Sequence, residues 1–405
     1  MIIDETRITL NNLHKSCMTT CALFSQSIIT CRHLWTTFVQ LVLHWNTTKR
    51  ARSMSTTTSP TWHSMMYTSL HAIGIVPTLT GYLIIKQIGV GTFGTVFLCR
   101  SMGVDGQLYA LKVLEKETIR KTHQVERTLT ERRVLTLTHP FVTTLYRSFA
   151  TKDHLVLVME YCPGGDLYTV LDKHLRLSLP VVTFYAASLI LALQHLHTSG
   201  VVYRDLKPEN IIVDGKGYIR LADFGLAKDD FRKGQVTRSI CGSVEYMAPE
   251  VITGQDYGHA VDLWSLGCVL YELLTGFSPF YSGSDKRKAY DKIKRGVVTF
   301  PPYMDSTTSS FLVGLLQLDP THRIGCSSRG YLEILEHPFF QSINWYNLGT
   351  QTMEPPPLST VPCPEQPVRI LQGQENENAS GFLQPPSSAL PPDEFASFDW
   401  ISKAV

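Results

Sequence analysis

Acidic residues are missing from most of the first quarter of this 405-residue chain: after Asp4 and Glu5 none occurs before Asp105. A strong net charge is missing too. The 37 Lys and Arg stand against 35 Asp and Glu, a formal +2, which excludes the broad basic field of a nucleic-acid binder. Closely spaced cysteine pairs are scarce. The nine cysteines (17, 21, 31, 99, 162, 241, 268, 326 and 363) are odd in number and scattered, unlike the framework of a disulfide-stapled secreted domain. Cys17 and Cys21 form one close pair, and without a second pair or a His cluster they do not make the four ligands of a structural zinc site. Long unbroken apolar runs are also absent. The best membrane candidate, residues 21–45, is interrupted by Gln26, Arg32, His33 and Gln40. Charged or strongly polar residues at the centre of a span cost roughly 2.5 kcal/mol or more each, so no transmembrane segment is expected.

What is present is enough apolar material, 43% of residues against 18% charged, to exclude disorder throughout, and a length equivalent to about two domains. Residues 1–80 are rich in Ser, Thr and His, with Lys49, Arg50 and Arg52 just before Met54. They read as a poorly structured basic leader, dispensable if synthesis starts at Met54. A targeting role is the alternative, although Asp4 and Glu5 stand where a transit peptide would be basic.

After Pro77 the pattern changes. Residues 83–88, 95–99 and 108–114 are β-rich runs separated by turn signals, residues 124–137 carry helical periodicity with Glu131 and Leu135 four apart, and residues 155–159 form another short apolar strand. Beyond Pro163-Gly164-Gly165 helices dominate: 181–197, with Gly200 as its terminating glycine, and 261–274, apolar nearly all round. The reading is α+β, a small antiparallel-sheet lobe with one key helix (81–161) before a larger, mainly helical lobe (162–340). Prolines accumulate in residues 341–405, giving an extended tail with no core of its own.

The loop Gly89-Val90-Gly91-Thr92-Phe93-Gly94 is weak evidence alone, because dinucleotide folds carry the same letters. There the third glycine opens a helix; here it opens a β-rich run, so the loop reads as a lid over phosphates between two strands. Lys112 on the neighbouring strand could reach the same phosphates. The strongest signal is Tyr203-Arg-Asp-Leu-Lys-Pro-Glu-Asn210, followed by Asp223-Phe-Gly225 and Ala248-Pro-Glu250.

With these motifs in order from Gly89 to about Phe340, the sequence resembles a eukaryotic protein kinase. Lys207 and the Gly242-Ser243 segment resemble serine/threonine enzymes, and Ser239-Ile-Cys-Gly-Ser243 resembles the AGC group, with most likeness to the protein kinase B and ribosomal-protein kinase branches. The resemblance implies a two-lobed kinase fold using ATP and Mg²⁺. Asp205 would orient the substrate hydroxyl, Lys207 steady the γ-phosphate, Asn210 and Asp223 hold Mg²⁺, and Lys112 pair with ATP and Glu131. The adenine would lie among Val96, Ala110, Met159 and Ile212, against backbone around Glu160 to Cys162. Ser239 occupies an activating phosphosite, with Arg127, Arg204 and Lys228 as receivers. Asp166, Glu209 and Glu272 match positions that face upstream arginines of a substrate, beside Ser243. Glu250 and Arg323 would pair internally.

In the tail, residues 395–400 resemble the AGC hydrophobic motif, with Phe395, Phe398 and Trp400 docking on the small lobe and Asp399 replacing a phosphoacceptor by a fixed charge. The family's Asn-Phe-Asp segment is not evident, and Ser359, Thr360 and Ser387 are weak turn-motif candidates. The resemblance further implies protein substrates with basic residues near Ser or Thr, an upstream activating kinase, a monomer, and a cytoplasmic or nuclear location. A catalytically weak pseudokinase serving as a binding module is the alternative, but such proteins usually lose the metal-binding Asp, the base or the strand lysine, all kept here.

Overall fold

The structure, a computed structural model, describes residues 81–91, 94–102, 106–231, 235–283, 285–358, 394–395 and 397–402. The leader, Thr92 and Phe93, and the phosphosite candidates Ser359, Thr360 and Ser387 lie outside them. Two compact units divide the chain, residues 1–84 and 85–405; of the first, only 81–84 are described.

The β-rich runs become β1 (Tyr82–Gly91), β2 (Gly94–Ser101) and β3 (Leu108–Glu115). A short helix α1 (Lys116–Lys121) and α2 (Val125–Val134) follow, then β4 (Leu145–Ala150) and β5 (His154–Glu160). The sequence suggested a helix over 124–137, longer than α2. Its last turn tightens, with Thr136 N–H donating to Arg133 and Leu137 N–H to Val134, the i to i−3 pattern by which helices end. β3 and β5 pair antiparallel through the middle of the sheet, with Lys112 opposite Leu157. Leu155, Val156, Leu157 and Val158 of β5 are all fully buried, so this strand reads as a continuous apolar run without alternation.

The larger lobe contains β6 (Gly165–Asp166), α3 (Leu167–His174), α4 (Leu179–Thr198), β7 (Ile211–Val213), β8 (Ile219–Leu221), α5 (Pro249–Ile252), α6 (Ala260–Thr275), α7 (Lys286–Arg295), α8 (Ser306–Leu315), α9 (Leu332–Leu335) and α10 (Trp345–Gly349). α4 starts with Pro180 in its first turn and gives way to Gly200 at φ +74°, the left-handed residue that lets a chain turn off a helix. α4 is long and apolar enough to span a bilayer, but most of it is buried and packs on α6 as the lobe's core. Each fully buried Leu or Ile there contributes about 1.5–3 kcal/mol of transfer free energy. Arg323 is clamped by Glu250 at 2.6 and 2.7 Å with its guanidinium over Trp264, the internal pairing expected from the sequence.

The tail returns as β9 (Trp400–Ile401), which pairs antiparallel with β4, Ser148 opposite Trp400. It closes the edge of a six-stranded sheet ordered β1-β2-β3-β5-β4-β9.

Candidate active site

The nucleotide-side residues lie on the strands of the small lobe and the link to the large one. Gly89, Val90 and Gly91 end β1 and Gly94 opens β2. Gly94 has a role beyond the lid: a Cβ there would sit 2.1 Å from the Val113 carbonyl oxygen, so only glycine lets β2 cross β3 so closely. Val96 stands opposite Lys112, and Ala110 opposite Met159. Ile212 on β7 contributes a half-buried side chain. The Glu160 N–H is taken by the Thr144 carbonyl, and its carboxylate accepts from Arg220 Nε at 3.1 Å, so its side chain serves the lobe junction. Burial pushes the Cys162 thiol up to about 12, which makes it an apolar wall group at neutral pH.

Three charges from distant segments meet at Lys112. Its Nζ lies 2.6 Å from Glu131 on α2 and 3.1 Å from Asp223. Burial works against the ammonium, but Glu131 and Asp223 outweigh it and raise the Lys112 pKa. Lys112 in turn holds the Asp223 carboxyl below its ordinary value. Asp223 sits at φ +51° and Arg204 at φ +69°, conformations that cost non-glycine residues energy and persist where surrounding contacts enforce them.

Those contacts are visible. Asp205 Oδ2 accepts from Lys207 Nζ at 2.8 Å and from Asn210 Nδ2 at 3.0 Å, while Oδ1 accepts from Ser243 N–H and Oγ at 3.1 and 3.0 Å. Lys207 also donates to Ser243 Oγ at 2.9 Å. Beneath the loop, fully buried Asp262 on α6 accepts from the N–H groups of Tyr203 and Arg204 at 2.9 and 2.8 Å. Sequence reasoning did not single out Asp262, an ordinary acid within a helical run. The donor set suits Mg²⁺, which takes one or two protein oxygens and completes its shell with phosphate and water. Asn210 spends its NH₂ on Asp205 and keeps its amide oxygen, and the Asp223 side chain is about half exposed. Among the described residues no cluster of three or more His, Cys, Asp or Glu forms a closed metal cage.

Around this centre, Arg204 donates from Nη1 to Ser239 Oγ at 2.7 Å, while its Nε holds the Leu226 carbonyl. Arg127 and Lys228 are not on Ser239: Arg127 donates to Gln124, and the Lys228 ammonium lies over the Phe231 ring. Asp166 caps α3 by accepting from Thr169 N–H at 2.7 Å. Glu209 is exposed at residue level, yet desolvation of its carboxyl raises its pKa, and Asp205 and Asp166 push the same way. Glu272 is only 2% exposed and accepts from the Tyr246 hydroxyl, so it lies inside the lobe and not on its open face.

The protein kinase domain family matches residues 82–340. The chain belongs to that family. Its curated relatives place it in the AGC group of serine/threonine kinases. It is similar to the RAC serine/threonine-protein kinase of Drosophila melanogaster, 44% identical over 69% of this chain and 46% of that protein. The cAMP-dependent protein kinase type 3 of Saccharomyces cerevisiae is 40% identical over 69% of each chain, and protein kinase C of Drosophila melanogaster is 41% identical over 69% of this chain and 38% of that one. The chain spans about half the length of several of these relatives.

Contacts on two sides hold α2 of this protein kinase domain. Asp229, six residues after Asp223, accepts from Arg133 Nε at 2.7 Å and Thr130 Oγ at 3.3 Å, tying α2 to the segment that follows the Asp-Phe-Gly motif. On its other side, Arg132 donates to the Ser397 carbonyl. Phe395 and Phe398 are fully buried, with Lys116 and Arg120 of α1 over the Phe395 ring at 5.4 and 5.3 Å. Asp399 accepts from Ala150 N–H at 2.9 Å, so the fixed acid serves as a backbone cap on the end of β4.

Proposed function

We propose that this serine/threonine kinase is catalytically competent and transfers the γ-phosphate of ATP, with Mg²⁺, to Ser or Thr of proteins carrying arginine upstream. The observation that carries the reading is the joined set of Lys112 on Glu131 and Asp223 beside Asp205 on Lys207, Asn210 and Ser243. Phosphoryl transfer asks mainly for positioned charge, and these side chains are already held against one another. Replacing Asp205 with Ala should lower phosphate incorporation into a peptide by about 10²–10⁴-fold, the usual range for a lost general base; unchanged incorporation overturns the assignment.

Arginine preference is supported by the desolvated Glu209 carboxyl, whose protonation Asp205 and Asp166 also favour: a guanidinium arriving between Glu209 and Asp166 supplies a counter-charge through charge-assisted pairs. Activation by phosphorylation is supported by the Arg204 guanidinium already on Ser239 Oγ, where a phosphate would gain charge-assisted bonds. A positional peptide library, run before and after phosphatase treatment and with Ser239→Ala, tests both; indifference to upstream Arg or full activity of the alanine variant refutes the corresponding part. The described cysteines 99, 162, 241, 268 and 326 are free thiols, which supports a reducing cytoplasmic or nuclear setting.

A further inference from the structure

α7 has six cations in ten residues, Lys286, Arg287, Lys288, Lys292, Lys294 and Arg295, against Asp291 alone. Three of them fill its first turn, where no acid is present and where the helix dipole disfavours positive charge. Lys288 and Lys292 are a like-charged pair four residues apart, a spacing that also destabilises. The side-chain cap of Asp285, accepting from the N–H groups of Arg287 and Lys288 at 3.1 and 3.2 Å, offsets part of this. The other three cations, Lys292, Lys294 and Arg295, sit in the last turn, where the dipole favours them, and Asp291 is spaced four residues from both Arg287 and Arg295, so the local conflict is confined to the first turn.

The arrangement is also one-sided. Ala289 and Ile293 are buried, whereas Arg287, Lys288, Lys294 and Arg295 are exposed; at 100° per residue these four fan over the opposite face, around the exposed Asp291. Lys292 is occupied with the Tyr281 carbonyl, and Lys288 reaches Asp285 at 3.6 Å. At the C-terminal end of α7, Gly296 leads into an open groove of about 410 Å³ walled by Val298, Phe300, Val313, Leu316 and Leu318 and by the polar Gln317 and Asp319. α7 also borders the catalytic mouth: it packs against the turn Val244–Tyr246, which directly follows Ser243, the residue hydrogen-bonded to Asp205.

We propose that the outer face of α7 and the groove at its end form a docking surface for an acidic segment, interspersed with apolar side chains, of a protein substrate. The occupant follows from complementarity: carboxylates suit the four exposed cations of α7, and an apolar side chain suits the Val, Phe and Leu part of the groove, from which Asp319 keeps carboxylates away, whereas a lipid surface calls for a convex or insertable edge. Position beside the mouth makes the bound chain a substrate, whose phosphoacceptor then benefits from a raised effective concentration. This rests on the kinase reading, and the test separates the two.

The test compares a short Arg-containing peptide with two longer peptides that extend it, one on either side, through a flexible ten-residue linker to an Asp/Glu-Leu segment. On the full chain, at least one extended peptide should show a KM at least fivefold lower at unchanged kcat, with the advantage shrinking between 50 and 300 mM salt. In the variant Arg287→Glu/Lys288→Glu/Lys294→Glu/Arg295→Glu, the advantage should vanish while kcat/KM on the short peptide stays within twofold. The reversal places acids in the first turn of α7, where the dipole favours them, and in the last turn, where it does not, so thermal unfolding of the variant is recorded beside the kinetics. No advantage on the natural chain, or an advantage that survives reversal, overturns the docking surface and leaves the kinase assignment intact through the short peptide. Co-sedimentation with phosphatidylserine vesicles, lost on reversal and unaccompanied by any peptide advantage, overturns it in favour of a lipid surface. Should the reversed chain lose activity on the short peptide, fluorescence anisotropy of the labelled acidic segment on the natural chain decides: salt-sensitive binding supports the surface and its absence refutes it.

Discussion

Tyr331 donates its hydroxyl toward Nδ1 of His197 at 2.8 Å, and Nε2 of His197 lies 2.8 Å from Asp262. Burial raises the phenol well above its ordinary pKa, so at neutral pH it stays protonated and acts as donor. With that hydroxyl donating to Nδ1, His197 carries its ring proton on Nε2 and donates it to Asp262. The same carboxylate accepts the backbone N–H groups that hold Tyr203 and Arg204 in the catalytic loop, including Arg204 in its left-handed conformation. Tyr331 is thus a positioning residue acting through two others. Tyr331→Phe keeps the ring and removes the donor, at a cost of about 1 kcal/mol of stability. Steady-state kinetics should show kcat falling several-fold with the KM for ATP unchanged; an unchanged kcat refutes the relay. None of this was legible beforehand, because Tyr331, His197 and Asp262 are separated by 134 and 65 positions and none belongs to a motif. Asp205, Asn210 and Asp223 were legible because their chemistry compels a short local spelling.

At the scale of elements, β9 shows what a tail segment of two residues can do. It adds to β4 by backbone pairing, with Ser402 N–H donating to Tyr146 at 2.9 Å, while Phe395 and Phe398 fill sites beside α1 and α2. The sequence indicated this docking from its aromatics, but it did not reveal β4, whose Arg147 spoils the apolar run and whose outer partner lies some 250 residues away. Phe398→Ala removes a fully buried ring. A core Phe→Ala costs about 3–5 kcal/mol, but a tail can undock as a whole, so the loss is capped at its docking free energy. The melting temperature should fall by several degrees. Activity should fall with it, because α2 carries Glu131 and rests on the tail through Arg132. Deleting residues 394–405 should match the point variant and not add to it. Unchanged stability and activity in both chains would leave the docked segment without a role in holding α2.

Half-buried imidazole pairs occur both at the junction of the lobes and within the larger lobe. His139, between α2 and β4, stacks on His195 of α4 with ring centroids 4.8 Å apart, and His259, at the start of α6, lies 4.6 Å from His197 of the same helix. Burial lowers His139 to about 4, with His195 and Arg220 facing it and adding to the shift. Burial likewise lowers His259 to about 4; His197 adds to it, Asp262 opposes it, and the Phe231 ring closes the remaining side. In the unfolded chain an imidazole titrates near its ordinary value of about 6.5. Between that pH and about 4 the unfolded state binds protons that the folded state refuses, so stability is fully present above 6.5 and is lost as pH falls. Thermal unfolding of the full chain at intervals from pH 7.5 to 4.5 should show a melting temperature flat at the upper end and declining below 6.5. The double variant His139→Gln/His259→Gln, although less stable at pH 7.5, should decline less over the same interval, because Gln brings no proton uptake to the unfolded state. An equal slope in both chains would assign the acid sensitivity to other groups and reduce the two imidazole pairs to packing.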